Sequence, residues 1–275
     1  MITDGQVEQW LREDLGHHDV TNDVPGKTDG RLVAREGGVI AGLQAATAVF
    51  EYLGVDAERT VEAGDTVDPG EVLLHTEGPA RETLRGERVA INLAGHASGV
   101  ATTTREAVGA AREVDPAVTV ACTRKTTPGL RGIEKRAVAA AGGDTHRLDL
   151  SHMVMVKDNH VAEMGLEPAI EQFRERASFT TKIEVEVESP ADAPTAAEAG
   201  ADIILLDNMS PGECAQAVER LDEAGHDDVL TEASGGITIE TVPAYAKTGV
   251  DVISMGSLTH SADALDLSFR MATTD

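Results

Sequence analysis

The chain has 275 residues, 41 % of them apolar, enough to bury one large α/β domain or two ordinary ones and too many for a disordered or collagen-like protein. Forty-eight Asp and Glu against 23 Lys and Arg leave a charge of −25, which argues against nucleic acid or an anionic membrane as partner. No apolar run approaches the ~20 residues of a membrane span. Met1-Ile2-Thr3-Asp4 lacks the basic and apolar regions of a secretory leader, so a cytoplasmic protein is expected. Cys122 and Cys214 lie far apart, with no C-x-x-C pair, and read as two buried thiols. An acidic surface with six lysines stays hydrated in strong salt; a halophilic source is expected, an ordinary acidic enzyme being the plainer reading.

In chain order, Val7, Trp10, Leu11 and Leu15 have helical spacing and predict a short opening helix. Residues 30–40 and 60–77 alternate apolar and polar between Gly, Asp and Pro turns, as antiparallel strands do. Glu62 to Glu71 resembles the hairpin of a biotinyl or lipoyl carrier. No lysine lies between Lys27 and Lys125 to take the prosthetic group, so that function is discarded. Residues 80–113 read as helix, with Leu84 and Ile91 on one stripe and Arg88, Asn92 and His96 on another. Gly95 and Gly99 within it suggest a close backbone approach or a break. After Asp115-Pro116 a β/α rhythm begins, with strands predicted at 118–122, 152–156, 183–187, 202–206, 229–232 and 250–254. Helices such as 211–224 and 239–248 separate them, which implies parallel strands buried on both faces.

Polar groups follow each strand. Thr123-Arg124-Lys125 follow the first and Lys157-Asp158-Asn159-His160 the second. The third carries Glu186, the fourth runs into Asp207-Asn208, and the last two lead to Ser234-Gly235-Gly236 and Met255-Gly256-Ser257. In α/β barrels the site lies at these strand ends. The run 124–157 carries a local +4 while the rest of the chain carries −29, which suggests a site for an anionic small molecule. The pairs Arg124/Lys125 and His146/Arg147 suit carboxylates or phosphates. The Gly235-Gly236 turn, with a helix expected to start near Thr238, suits phosphate. Glu186 and Asp207 suit water-bridged Mg²⁺, ribose hydroxyls or a cationic sugar centre. Read as a glycosidase pair, they leave the cations without a purpose.

Three runs carry a resemblance: Thr123 to Arg131, Gly142 to Arg147, and Lys157 to His160. With Glu87 to Asn92, Ser98-Gly99, Glu184-Val185-Glu186, Leu206 to Asn208, Ala233 to Gly236 and Ser254 to Gly256 in order, the chain resembles the quinolinate phosphoribosyltransferases over nearly its whole length. It departs from the family pattern at His18, Thr145, Asp149 and His152. None of these removes a charged contact.

The resemblance implies an incomplete (β/α) barrel over residues 104–261 and an N-terminal mixed α/β sandwich over 1–103, onto which 262–275 packs back. It implies transfer of phosphoribosyl from phosphoribosyl pyrophosphate to quinolinate, giving nicotinate mononucleotide, pyrophosphate and CO₂ in de novo NAD synthesis, with Mg²⁺. Arg88, Thr123, Arg124, His146 and Arg147 would bind the dicarboxylate, and Lys125 and Lys157 the pyrophosphate and ring substituents. Glu186 and Asp207 would hold the ribose and, through water, Mg²⁺. Ser234, Gly235, Gly236, Met255, Gly256 and Ser257 would cradle the 5′-phosphate, and Lys125 would return the proton. A homodimer with shared active sites is implied, a hexamer of dimers being the larger alternative. Two competitors are a nicotinate-using salvage phosphoribosyltransferase and a barrel lyase with Lys157 as Schiff base.

Overall fold

Thr3 starts the first helix for a local reason. Its hydroxyl accepts the Gln6 amide proton at 3.4 Å while the Gln6 side chain accepts from the Thr3 amide at 3.1 Å, a reciprocal cap. Helix α1 (Asp4–Leu15) then buries Val7 and Leu11 and stops at Gly16, φ +58°. The structure, a computed structural model, describes residues 2–271. After α1 come β1 (Lys27–Ala34), β2 (Gly38–Val39), α2 (Leu43–Tyr52), β3 (Asp56–Arg59), β4 (Thr66–Val67), β5 (Val72–Pro79) and the long α3 (Ala80–Arg112). There follow β6 (Thr119–Ala121), α4 (Arg131–Ala140), β7 (Val154–Val156), α5 (Asp158–Met164), α6 (Leu166–Arg176), β8 (Ile183–Val187) and α7 (Ala193–Glu198). The chain ends with β9 (Ile203–Asp207), α8 (Pro211–Ala224), β10 (Leu230–Ser234), α9 (Val242–Ala246), β11 (Val252–Ser254), α10 (Ser257–His260) and β12 (Leu267–Met271).

Two compact units result. One holds residues up to 105, residues 128–142 and those from 262 on; the other holds 106–127 and 143–261. In the first, an antiparallel sheet of order β12-β1-β5-β3 packs its apolar face around Leu32, Phe50, Leu73 and Leu74, all fully buried. Phe50 stacks on Phe269 of β12 at 5.6 Å between ring centres, so residues far apart in sequence close this core. Helix α3 is unbroken, and its Gly95 and Gly99 serve close approach. A Cβ on Gly99 would lie 1.8 Å from the Asp263 carbonyl oxygen, and Gly95 accepts the Leu265 amide proton at 3.0 Å.

Residues 128–142, read from the sequence as part of the barrel, cluster instead with the first unit. Glu134 of α4, with no exposed side-chain surface, meets His96 Nε2 of α3 at 2.8 Å. Arg105 Nε donates to the Ala141 carbonyl at 2.9 Å. Of the expected segment 262–275, residues 272–275 lie outside the described residues.

The second unit is built on six parallel strands in the order β6-β11-β10-β9-β8-β7. Strands β7 to β11 are neighbours in sequence order, and β6 pairs with β11. Among the described residues β6 and β7 do not pair, so the ring of strands is open there, as an incomplete barrel requires. Alternation divides each strand. On β9, Ile204 and Leu206 are fully buried on one side, while Leu205 and Asp207 point to the other. Each such buried aliphatic chain contributes about 2 kcal/mol. Among the described residues no helix is long and apolar enough to cross a membrane.

Candidate active site

The C-terminal ends of the six parallel strands enclose a cavity of about 320 Å³. Thr123, Arg124 and Lys125 enter it after β6, His146 and Arg147 before β7, and Met155 and Lys157 along and after β7. Glu186 of β8, Leu205 and Asp207 of β9, Glu232 and Ser234 of β10 and Ser254 of β11 complete the lining. A period of two explains the selection: Leu205/Asp207 and Glu232/Ser234 are spaced so that both members of each pair share a face. Register then aligns Glu186 with Leu205, Leu205 with Glu232, and Asp207 with Ser234.

Nine of the residues expected from the sequence thus meet in one place. Arg88 does not join them; it is exposed on α3 in the other unit. The basic run also divides, because Arg131, Lys135 and Arg136 sit on α4 in that unit. The cavity's cations are therefore Arg124, Lys125, Arg147 and Lys157, and they face the carboxylates of Glu186, Asp207 and Glu232. Lys157 Nζ bonds Glu186 Oε2 at 2.6 Å. The site interleaves cations with carboxylates rather than presenting a purely basic patch.

The loops after the last two strands differ from expectation at two points. The helix expected near Thr238 begins at Val242, because Thr238 to Thr241 form a turn in which the Val242 amide bonds the Thr238 carbonyl at 3.0 Å. Gly235 (φ +98°) and Gly236 (φ +63°) still expose left-handed backbone, and a Cβ on Gly235 would lie 2.3 Å from Asn208 Oδ1. Met255 is buried and its amide proton is already given to Ala121, so it offers a ligand neither side chain nor N–H; Gly256 and Ser257 follow it. Lys125 is held from three sides. Its amide donates to Thr123 Oγ1 at 3.1 Å, its carbonyl accepts from Thr259 Oγ1 at 2.6 Å, and a Cβ on Gly256 would lie 2.9 Å from its Cδ.

In the cavity wall His146 meets two acids, Glu184 and Glu232, to which the sequence reasoning gave no role. His146, at φ +48°, directs Nε2 to Glu232 Oε2 at 3.0 Å and Glu184 Oε1 at 3.6 Å. Nδ1 accepts the Arg147 amide proton at 2.6 Å. Burial opposes charge on His146, yet Glu184 and Glu232 outweigh it and push its pKa up to about 10. Burial drives the Glu184 carboxyl upward, and burial together with Arg124 lowers Arg147, which Glu184 and Glu232 support. The signal for these acids was present: Glu184 stands two residues before Glu186, and Glu232 two before Ser234, on the same strand faces.

Glu186 and Asp207 are suitable for Mg²⁺ by donor chemistry. One oxygen of each is engaged, by Lys157 and by Asn208 Nδ2 at 2.7 Å, and each carboxylate keeps a second oxygen, the hard donor that ion takes.

The family model described as quinolinate phosphoribosyl transferase, N-terminal domain, matches residues 19–98, and that for the C-terminal domain matches residues 100–270. A probable nicotinate-nucleotide pyrophosphorylase [carboxylating] of Methanothermobacter thermautotrophicus is 45 % identical, over 96 % of this chain and 97 % of its own. The human nicotinate-nucleotide pyrophosphorylase [carboxylating] is 42 % identical, over 96 % of this chain and 90 % of its own. The crystal structure of NadC from Streptococcus pyogenes superposes with a TM-score of 0.90 at 39 % identity, covering all of this chain and 99 % of that one. With both domains matched in order over nearly its whole length, this chain belongs to the quinolinate phosphoribosyltransferase family.

Proposed function

We propose that this protein transfers phosphoribosyl from phosphoribosyl pyrophosphate to quinolinate and releases pyrophosphate and CO₂, leaving nicotinate mononucleotide for de novo NAD synthesis. One observation carries the reading: Arg124, Lys125, Arg147 and Lys157 meet Glu186 and Asp207 in one cavity at the strand ends. The cations suit an acceptor with two carboxylates and a donor with several phosphates, while the acids suit a sugar centre that becomes cationic. Arg124, Arg147, Thr123 and His146 hold the pyridine dicarboxylate, with Arg88 supplied by a second subunit. Lys125 and Lys157 neutralise the pyrophosphate, and Ser234 to Gly236 with Gly256 and Ser257 receive the 5′-phosphate. Glu186 and Asp207 orient the ribose and would hold Mg²⁺, which when bound would supply positive charge toward the leaving pyrophosphate. Once the ring nitrogen is ribosylated, its positive charge accepts the electron pair left by CO₂, and Lys125 supplies the proton. We place the enzyme in the cytoplasm of a halophile, as a homodimer or a hexamer of dimers.

The test is acceptor choice. With phosphoribosyl pyrophosphate, Mg²⁺ and high salt, quinolinate should be turned over with CO₂ release. Nicotinate should show kcat/KM lower by about a hundredfold or more, because losing one carboxylate leaves buried cations unpaired. Equal use of the two acids would favour the salvage reading.

A further inference from the structure

Gly256 has the backbone of an ordinary helical residue, φ −65° and ψ −29°, which any amino acid but proline adopts with ease. Conformation therefore gives no reason for a glycine there, and space does. A Cβ at this position would lie 2.9 Å from Lys125 Cδ and 3.3 Å from Thr123 Oγ1 and His260 Cδ2. The missing side chain leaves room for the stem of Lys125.

Lys125 needs such a seat. It is exposed and lies between β6 and α4, where no strand or helix fixes the backbone. Among the described residues its ammonium forms no ion pair within 4 Å, whereas Lys157 is held on Glu186. A lysine stem is long and flexible, so its ammonium is placed only as well as the backbone and the walls around the stem. Two hydroxyls set that backbone. Thr123 Oγ1 accepts the Lys125 amide proton at 3.1 Å, and Thr259 Oγ1, 134 residues on, donates to the Lys125 carbonyl at 2.6 Å. Thr259 is 1 % exposed, and its one hydroxyl proton has a local alternative in the Gly256 carbonyl at 3.2 Å. The shorter bond goes to Lys125.

We propose that Thr259 is a positioning residue for Lys125, and that Gly256 is glycine to admit that lysine's stem. Both lie just after β11, so the turn expected to receive the donor's 5′-phosphate also sets where Lys125 stands. Thr259 is not among the residues that line the cavity, and it acts through the lysine. This rests on the reading of Lys125 as the group that neutralises the pyrophosphate and returns the proton.

Thr259→Val keeps the shape and removes the hydroxyl. It should lower kcat and the quinolinate kcat/KM together by about tenfold, with the quinolinate KM within about twofold because Arg124 and Arg147 still hold the acceptor. Thr259→Ser restores the hydroxyl and should stay within about threefold of wild type. Hydrogen exchange reads the seat without the chemistry. Residues 123–126 should exchange about tenfold faster in Thr259→Val and near the wild-type rate in Thr259→Ser. In a Lys125→Ala background, Thr259→Val should cost kcat less than about twofold more, because the group it places is gone. Gly256→Ala suits the helical backbone but presses on the lysine stem, so it tests the seat even where Thr259→Val folds poorly. It too should lower kcat about tenfold in the native chain and little in Lys125→Ala. Equal losses in both backgrounds, a Thr259→Ser no better than Thr259→Val, or unchanged exchange at 123–126 would overturn the proposal. Lys125→Ala with undiminished kcat would instead overturn the reading of the lysine, and hydrogen exchange would then decide whether the seat exists.

Discussion

Asp19 organises a segment without regular structure. Its Oδ1 accepts the amide protons of Thr21 and Asn22 at 3.0 and 3.1 Å, Oδ2 accepts from Asn22 Nδ2 at 3.2 Å, and Arg85 Nε of α3 lies at 3.3 Å. These bonds, the Thr21 amide first, hold its pKa below the ordinary 3.8. A depressed carboxylate contributes stability above its unfolded pKa and loses it as pH falls through the folded one. Asp19→Asn should therefore melt a few degrees below wild type at neutral pH, and the gap should close as pH drops below 3.8; a gap constant with pH would show that the charge is not what matters. Residues of this kind were partly legible. Arg124, Lys157, Glu186 and Asp207 could be read because a charged group at a strand end serves no folding purpose. Glu184 and Glu232 were hidden one step back, where an acid inside a β-branched run looks like an ordinary polar position. The left-handed backbone of His146 left no mark, since only tertiary bonds stabilise it.

Elements were legible in proportion to their apolar content. The six parallel strands announced themselves by β-branched runs, and 211–224 was readable as α8 from its Ser-Pro start and regular spacing. Strand β3, Asp-Ala-Glu-Arg, has no alternation to read because it is an exposed edge. Strand β12 depends on pairing with β1 from the far end of the chain. Helix α4 misled the charge argument, since it carries three of the seven cations into the other unit. The N-terminal sheet shows a feature that pattern reading ignores: Asp56, Glu77 and Asp29 stand directly opposite one another on β3, β5 and β1, all exposed. Like charges in register are destabilising, and salt screens them. Glu77→Gln should raise the melting temperature in millimolar KCl, by roughly what a few tenths to 1 kcal/mol gives, and the advantage should shrink toward zero in molar KCl. An advantage independent of salt would mean that the row is not repulsive, and would weaken the inference of a halophilic setting.

At the scale of the whole molecule, the open question is where Arg88 works. It is exposed on α3 in one unit, while the lining of the cavity comes wholly from the other. A second subunit that delivers Arg88 to the cavity would give an exposed arginine on a buried-sided helix a purpose; a solvated arginine on its own surface is the alternative. The two separate in a mixing experiment. Arg88→Ala and Lys157→Ala, each nearly inactive alone, are combined and their subunits allowed to exchange. If Arg88 acts across the interface, a mixed dimer carries both defects in one site and neither in the other. Random pairing makes half of the dimers mixed, each with one working site in two, so activity should return to about a quarter of wild type. If Arg88 acts within its own chain, every site keeps one defect and mixing restores nothing. Exchange verified by mass, with no recovery, would leave the shared site without support. Partial recovery that rises with the mixed fraction would fix Arg88 as a residue of the neighbouring site.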